Sequence, residues 1–443
     1  MSVFWCELAW LGDAQPEAGV VIEASGERIE EVRAGVADPP PGSQRLDGLV
    51  IPGLANAHSH AFQRALRGRT HGAAGSFWTW REQMYELAGR LDPDLTLAVA
   101  RATFAEMALA GVTLVGEFHY LHHGPGGVPY EDPNALGAAV IQAAAEAGVR
   151  LTLLDACYLH GGIGIPPEAG QRRFCDRDVE AWTARVDRLR DGPRVRIGAA
   201  IHSVRAVDPA SAAVVAKWAA AREAPLHAHV SEQPVENAAC LDAYGANPAA
   251  VLARAGALSQ RFTAVHATHV SEADLTLLGD AGTCCCLCPT TERDLADGIG
   301  PGRRLRDAGV RLALGSDSNA SIEPFEEARA VELDERLATG VRGQHTASDL
   351  LQAATANGYQ SLGWPEGGAI RAGALADLVV VRREGVRLAG VSAHDALAAL
   401  VFAGAAADVR HVIVGGRFVV RDGAHVGLDV AGALADVLAK VAL

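Results

Sequence analysis

The amino-acid sequence predicts an α/β fold, a (β/α)8 TIM-like barrel with a small β-sandwich domain built from both termini, and three observations carry that prediction. Between about residue 50 and residue 360, apolar strand-like runs alternate with Ala-, Leu- and Glu-rich helical stretches, the pattern of βα units around a parallel sheet. Eight such runs can be counted, the number that closes a barrel. Both ends of the chain are instead β-rich, so the termini are expected to meet in one smaller unit. The expected division is 1–50 plus 366–443 for the small domain and 51–365 for the barrel.

The opening strands are expected at 3–11, 19–23 and 28–32, the last after a turn at Gly26. The first barrel strand is the apolar run from Val50 that ends near His60, and the others fall at 112–118, 149–156, 195–201, 225–230, 262–267, 283–287 and 310–315. Helical stretches at 92–110, 208–222 and 324–337 open on Asp92-Pro93, Asp208-Pro209 and Glu323-Pro324, which are start signals. The chain closes on strands at 376–381 and 409–420, the latter turning at Gly415-Gly416. The glycine-rich stretches 161–164 and 298–302 match neither the dinucleotide fingerprint nor a phosphate-binding P-loop, and read as loops.

With 49% hydrophobic and 21% charged residues, the composition is that of a soluble globular protein, and no long uncharged apolar run suggests a membrane span. The N-terminus lacks a basic region and Glu7 and Asp13 interrupt its apolar stretch, so no signal peptide and a cytoplasmic location are expected. A net charge of −14 argues against nucleic acid, which needs a basic stripe. It also means that an anionic substrate must be held by local arginines. Eight cysteines without a secretion signal read as free thiols. The run Cys284-Cys285-Cys286-Leu287-Cys288 contains a Cys-x-x-Cys but no second pair, so it reads as a buried strand in which cysteine acts as a small hydrophobe.

His58-Ser59-His60 is the centre of the functional reading. Residues i and i+2 of a strand share a face, so both imidazoles can reach one metal. Alone, such a pair is as often two unrelated polar residues at a strand end. Its weight comes from the histidines and carboxylates at the ends of other apolar runs: His227-Ala228-His229 with Glu232, His266 with His269, and Ser316-Asp317. In a barrel these all fall at the C-terminal mouth, where functional groups gather.

Those residues, with the strings Ala61-Phe62-Gln63-Arg64, Ser76-Phe77-Trp78-Thr79-Trp80-Arg81-Glu82, Gly116-Glu117-Phe118-His119-Tyr120 and His202-Ser203-Val204-Arg205, resemble the amidohydrolase superfamily. Within its aminohydrolase branch the strings resemble the formimidoylglutamate deiminases of histidine degradation, over nearly the whole chain. The stretch from Pro289 departs from that pattern, with Arg293-Asp294 where a small residue and an Asn are expected. The resemblance implies a metal-dependent aminohydrolase that is a homodimer and takes a small dicarboxylate amidine. Two-metal members bridge their ions with a modified lysine at the end of strand four or another bridging acid; here the only lysines are Lys217 and Lys440, neither in that strand. One divalent metal per chain is therefore expected, zinc with iron as the alternative, on His58, His60, His229 and Asp317. His229 is preferred to His227 because it lies nearer the strand end. Asp317 would take a proton from the metal's water, His266 would orient that water, and Glu232 would carry protons to the leaving nitrogen. Arg81 and Arg205 are expected to hold the carboxylates, with Gln63, Tyr120 and His202 as hydrogen-bonding neighbours. A purine or pterin deaminase would use the same metal residues. A non-catalytic relative would be expected to lack one of them, and none is lacking.

Overall fold

The computed structural model describes residues 2–70 and 77–441, with the side chains of Phe77 and Trp78 left aside. Ser76, part of the tryptophan-rich string, lies outside the described residues.

Eight strands form one parallel sheet in sequential order: β5 (Leu54–Ser59), β6 (Val112–His119), β7 (Arg150–Cys157), β8 (Val195–Ile201), β9 (Leu226–Val230), β10 (Phe262–His266), β11 (Cys284–Leu287) and β12 (Arg311–Leu314). A parallel bridge between Ser59 and Asp317 ties its two edges together, so the sheet is a barrel. These strands are almost wholly buried because helices cover them outside and side chains fill the inside, and they accordingly read as near-continuous apolar runs. The helices start where the sequence signals them. Asp92 accepts the N–H of Leu95 and Asp208 those of Ala210 and Ser211, so each caps a proline-led helix, Pro93–Leu109 and Pro209–Ala221. Glu323 precedes helix Pro324–Thr339 but caps nothing; its carboxylate accepts the N–H of Ala406 instead.

The remaining eight strands form a second, mixed sheet: β1 (Ser2–Ala9), β2 (Glu17–Ser25), β3 (Arg28–Arg33) and β4 (Gln44–Pro52) from one end, with β13 (Leu378–Val381), β14 (Val409–Val414), β15 (Arg417–Arg421) and β16 (Ala424–His425) from the other. Phe4 on β1 and Phe418 on β15 lie four strands apart in the order, roughly 19 Å if the sheet were flat. Their ring centroids are 6.3 Å apart, so the sheet folds over on itself. Phe4, Val20, Ile22, Leu46, Val50, Leu378 and Ile413 fill the resulting interior. Arg150 at the start of β7 joins the two units: fully buried, it bonds Asp377 through Nε and Glu27 through Nη1 at 2.8 and 2.7 Å. Among the described residues no helix is long and apolar enough to cross a membrane.

Candidate functional site

The barrel closes at its chemistry. The Asp317 N–H donates to the carbonyl of His58 at 3.0 Å and the His60 N–H to the carbonyl of Asp317 at 2.9 Å. Around this seam Asn56 accepts the Ser316 N–H at 2.9 Å, the Ser316 hydroxyl donates to Asn319 Oδ1 at 2.6 Å, and the Asn319 amide donates to the His60 carbonyl at 3.0 Å. Asp317, Asn319 and His266 sit at φ 44°, 56° and 67°, a left-handed conformation that costs a non-glycine residue energy and is held at Asp317 and Asn319 by the seam bonds.

The four expected metal donors converge on one point. His58 Nε2 and His60 Nε2 lie 3.2 and 3.3 Å from Asp317 Oδ1, and His229 Nε2 lies 3.2 Å from His58 Nε2. Ligands at about 2.0–2.1 Å around a tetrahedral ion are about 3.3 Å apart, so the spacing suits zinc. Tautomers give a second test. His60 Nδ1–H donates to the Phe118 carbonyl at 2.9 Å and His229 Nδ1–H to the His202 carbonyl at 2.8 Å. A carbonyl can only accept, so both neutral rings turn Nε2 lone pairs toward the same centre, an arrangement that a cation satisfies. Burial holds the His58 imidazole near pKa 3, well below its ordinary value, which keeps it a ligand rather than a cation. His227, two residues deeper in the strand, is bonded through Nε2 to the Ser361 carbonyl at 3.0 Å and takes no part.

On the open side of this centre, His266 Nε2 faces Glu232 Oε1 at 3.8 Å and Asp317 Oδ2 at 3.9 Å. Burial raises the Glu232 carboxyl, with Asp317 and Glu236 adding to the rise and His266 and Arg205 opposing it. Burial would also raise Asp317, but the His58 hydrogen bond and the nearby imidazoles outweigh it and hold that carboxylate well below its usual range. One carboxyl is thus kept ready to hold a proton and the other to stay ionised, the division of labour that acid/base chemistry needs.

A cleft of about 660 Å³ opens onto this trio, and all five expected binding residues line it: Gln63, Arg81, Tyr120, His202 and Arg205. Gln63 donates to the Tyr120 hydroxyl at 2.8 Å. Arg81 stacks over Tyr85, and Arg205 lies 3.4 Å from Glu236 and 3.7 Å from Glu232. The sequence reading missed other parts of the wall, among them Met84, Tyr85, Tyr158 and Phe174, and missed Glu236. Glu236 had a signal: it lies one helical turn beyond Glu232, on the same side of the helix start.

Residues 49–419 match the model of the amidohydrolase family. The chain belongs to that family. It is an enzyme that hydrolyses carbon–nitrogen bonds, in keeping with its relatives. A formimidoylglutamate deiminase of Pseudomonas aeruginosa is 40% identical over 400 residues, covering 87% of this chain and 88% of the relative. An 8-oxoguanine deaminase of the same organism is 31% identical, covering 94% of this chain and 93% of the relative. Among solved structures, an amidohydrolase from Brucella melitensis matches with TM-score 0.93 at 33% identity over the full length of both chains. An adenosine deaminase from Xanthomonas campestris, with zinc bound, shares the fold at TM-score 0.85 and 23% identity over 99% of this chain and 97% of that one.

In this amidohydrolase the departure at Arg293-Asp294 leaves the cleft untouched. The Arg293 guanidinium turns outward to Glu326 at 3.0 Å and Asp334 at 3.6 Å, and Leu295 is the residue of that segment that reaches the cleft. The cysteine run is β11 with Cys288 just beyond its end, buried as expected.

Proposed function

We propose that this amidohydrolase converts N-formimidoyl-L-glutamate and water to N-formyl-L-glutamate and ammonia, a step of histidine degradation in the cytoplasm. The observation that carries the reading is that Arg81 and Arg205 share one cleft with the acid/base trio. A substrate with two carboxylates and a formimidoyl carbon needs both features at once, since a planar guanidinium holds a carboxylate through paired hydrogen bonds.

One divalent ion, zinc by preference, on His58, His60, His229 and Asp317 would supply the Lewis acidity that lets water lose a proton near neutrality. Asp317 Oδ2 receives that proton, and His266 Nε2, facing it, orients the oxygen. Addition to the formimidoyl carbon forms a C–O bond and turns the C=N bond into C–NH2. Glu232 then gives a proton to that nitrogen, the C–N bond breaks, and ammonia leaves with the electron pair. Glu232, ionised by that transfer, accepts water's second proton, which restores the carbonyl of the formyl product.

The cleft is also aromatic, with Trp80, Tyr85, Tyr120, Tyr158 and Phe174 on its wall, which suits a flat ring and favours a purine or pterin deaminase as the second reading. Paired arginines have no role against a neutral ring, which sets the order of the two. Purified enzyme is offered N-formimidoyl-L-glutamate, guanine, 8-oxoguanine and adenosine while ammonia is followed. Release from the first alone is expected; turnover of a purine with none of the amidine would overturn the assignment.

A further inference from the structure

His266 is held from behind as well as placed from the strand. Its Nδ1 lies 3.2 Å from Oε1 of Glu292, and the same oxygen accepts the Cys288 N–H at 2.9 Å. Glu292 itself is fixed, since its own N–H donates to the Cys288 carbonyl at 2.9 Å in the first turn of helix Pro289–Asp294, and only 4% of it is exposed. A carboxylate accepts and cannot donate when ionised, so the bond puts a proton on Nδ1. The opposite nitrogen, Nε2, has no hydrogen-bond partner among the described residues and looks into the space between Glu232 and Asp317. Without an anchor the imidazole would have a broad, two-fold choice of χ2, and half of that choice turns the wrong atoms to the reacting water.

We propose that Glu292 is a positioning residue for the hydrolysis: through one accepting oxygen it fixes the orientation and tautomer of His266, so that Nε2 meets the water. His266, Cys288 and Glu292 have donor atoms close enough to hold an ion of their own, but Glu292 Oε1 is already occupied by two N–H donors. The proposal deepens the deiminase reading and borrows only its substrate.

Because both donors meet a single oxygen, Glu292→Gln retains the acceptor whereas Glu292→Leu removes it. Expected on formimidoylglutamate is a fall in kcat of about 100-fold for the leucine variant, the lower end of what a positioned acid/base group contributes, with recovery to within about tenfold for glutamine. KM and bound metal stay near wild type in both. In a His266→Asn background the leucine substitution should cost almost nothing more, since its effect passes through His266. Equal losses in both backgrounds, a rise in KM at unchanged kcat, or a second equivalent of metal that Glu292→Leu abolishes would each overturn the proposal. If the wild type releases no ammonia from formimidoylglutamate, the functional reading has failed and the proton spectrum still tests this one. A downfield Nδ1 proton resonance should be present in wild type and Glu292→Gln and missing in His266→Asn and Glu292→Leu. Its survival in Glu292→Leu, or its loss in Glu292→Gln should the leucine variant not fold, refutes the bond.

Discussion

Replacing Arg205 with methionine separates recognition from chemistry. Methionine keeps much of the apolar stem and removes the charge, which in the free enzyme faces Glu236 at 3.4 Å and Glu232 at 3.7 Å from a side chain only 18% exposed. For a substrate that brings a carboxylate to this guanidinium, losing the partner of a desolvated charge costs about 2–5 kcal/mol. At about 1.4 kcal/mol per decade that is a fall in kcat/KM from roughly 30-fold to several thousand-fold. A formamidine without carboxylates loses only the influence of Arg205 on Glu232. That pair is long and lacks bidentate geometry, so about 1 kcal/mol, or roughly fivefold, is expected. The assay is ammonia release from both amidines by wild type and variant, with circular dichroism to confirm folding, because Glu236 is left buried without its cation. Equal losses on the two substrates would refute the clamp and place Arg205 in the acid/base machinery instead.

Other consequences are open to simpler tests. Glu232→Gln fills the same space but cannot carry a proton, so kcat should fall by about 100-fold or more while one equivalent of metal is retained; near-normal turnover would remove Glu232 from the mechanism. Metal analysis should find one ion per chain, lost in His60→Ala, and chelation should lower the melting temperature because it leaves ligand lone pairs at 3.2 Å with nothing between them. Two tightly bound equivalents, both needed for activity, would contradict the ligand set. Glu327, buried on helix Pro324–Thr339, has its carboxyl pushed by burial from 4.5 up to about 8 and accepts the Thr290 N–H at 3.0 Å. The unfolded chain loses this proton near 4.5 and the folded one near 8, so between those values folding binds the extra proton and stability falls as pH rises. Glu327→Gln should therefore match wild type near pH 4.5 and exceed it by about 3 kcal/mol at pH 7, read from urea midpoints; a destabilised variant at pH 7 would show that the site wants the anion.

The barrel and the meeting of its four candidate metal donors were legible because both rest on short-range rules. Strand period places His58 beside His60, and eight apolar runs give eight strands whose ends must share a mouth. The Asp-Pro helix starts rest on equally local chemistry, and Asp92 and Asp208 both cap as expected. Glu323-Pro324 shows the limit. The same pairing opens a helix there, yet a backbone N–H 83 residues away takes the carboxylate, and no local pattern announces it. Glu236 and Glu292 escaped for a related reason. Each acts through another side chain, Arg205 or His266, and that relation exists only once two strand ends have been brought together.

The cysteine run shows the same limit from the opposite direction. Cys284, Cys286 and Cys288 share a face of β11 and its extension and pack with Ala57, Val265 and Ala313 inside the barrel, next to His58. A Cβ added to Gly315 would meet His58 Cβ at 2.8 Å and Cys286 Sγ at 3.0 Å. Space beneath the metal donors is therefore filled almost to contact, and only small side chains fit that layer. Burial also pushes the Cys284 thiol up to about 12 and the Cys288 thiol well above its ordinary range, so the thiolate that a metal would want is disfavoured there. A residue type that reads as a ligand in a surface loop serves here as a spacer of the right volume, and Cys286→Ala should leave metal content unchanged while costing stability through the cavity it opens, about 1–3 kcal/mol in a denaturant melt. Loss of the catalytic metal from a folded Cys286→Ala enzyme would show that the thiol is a ligand after all.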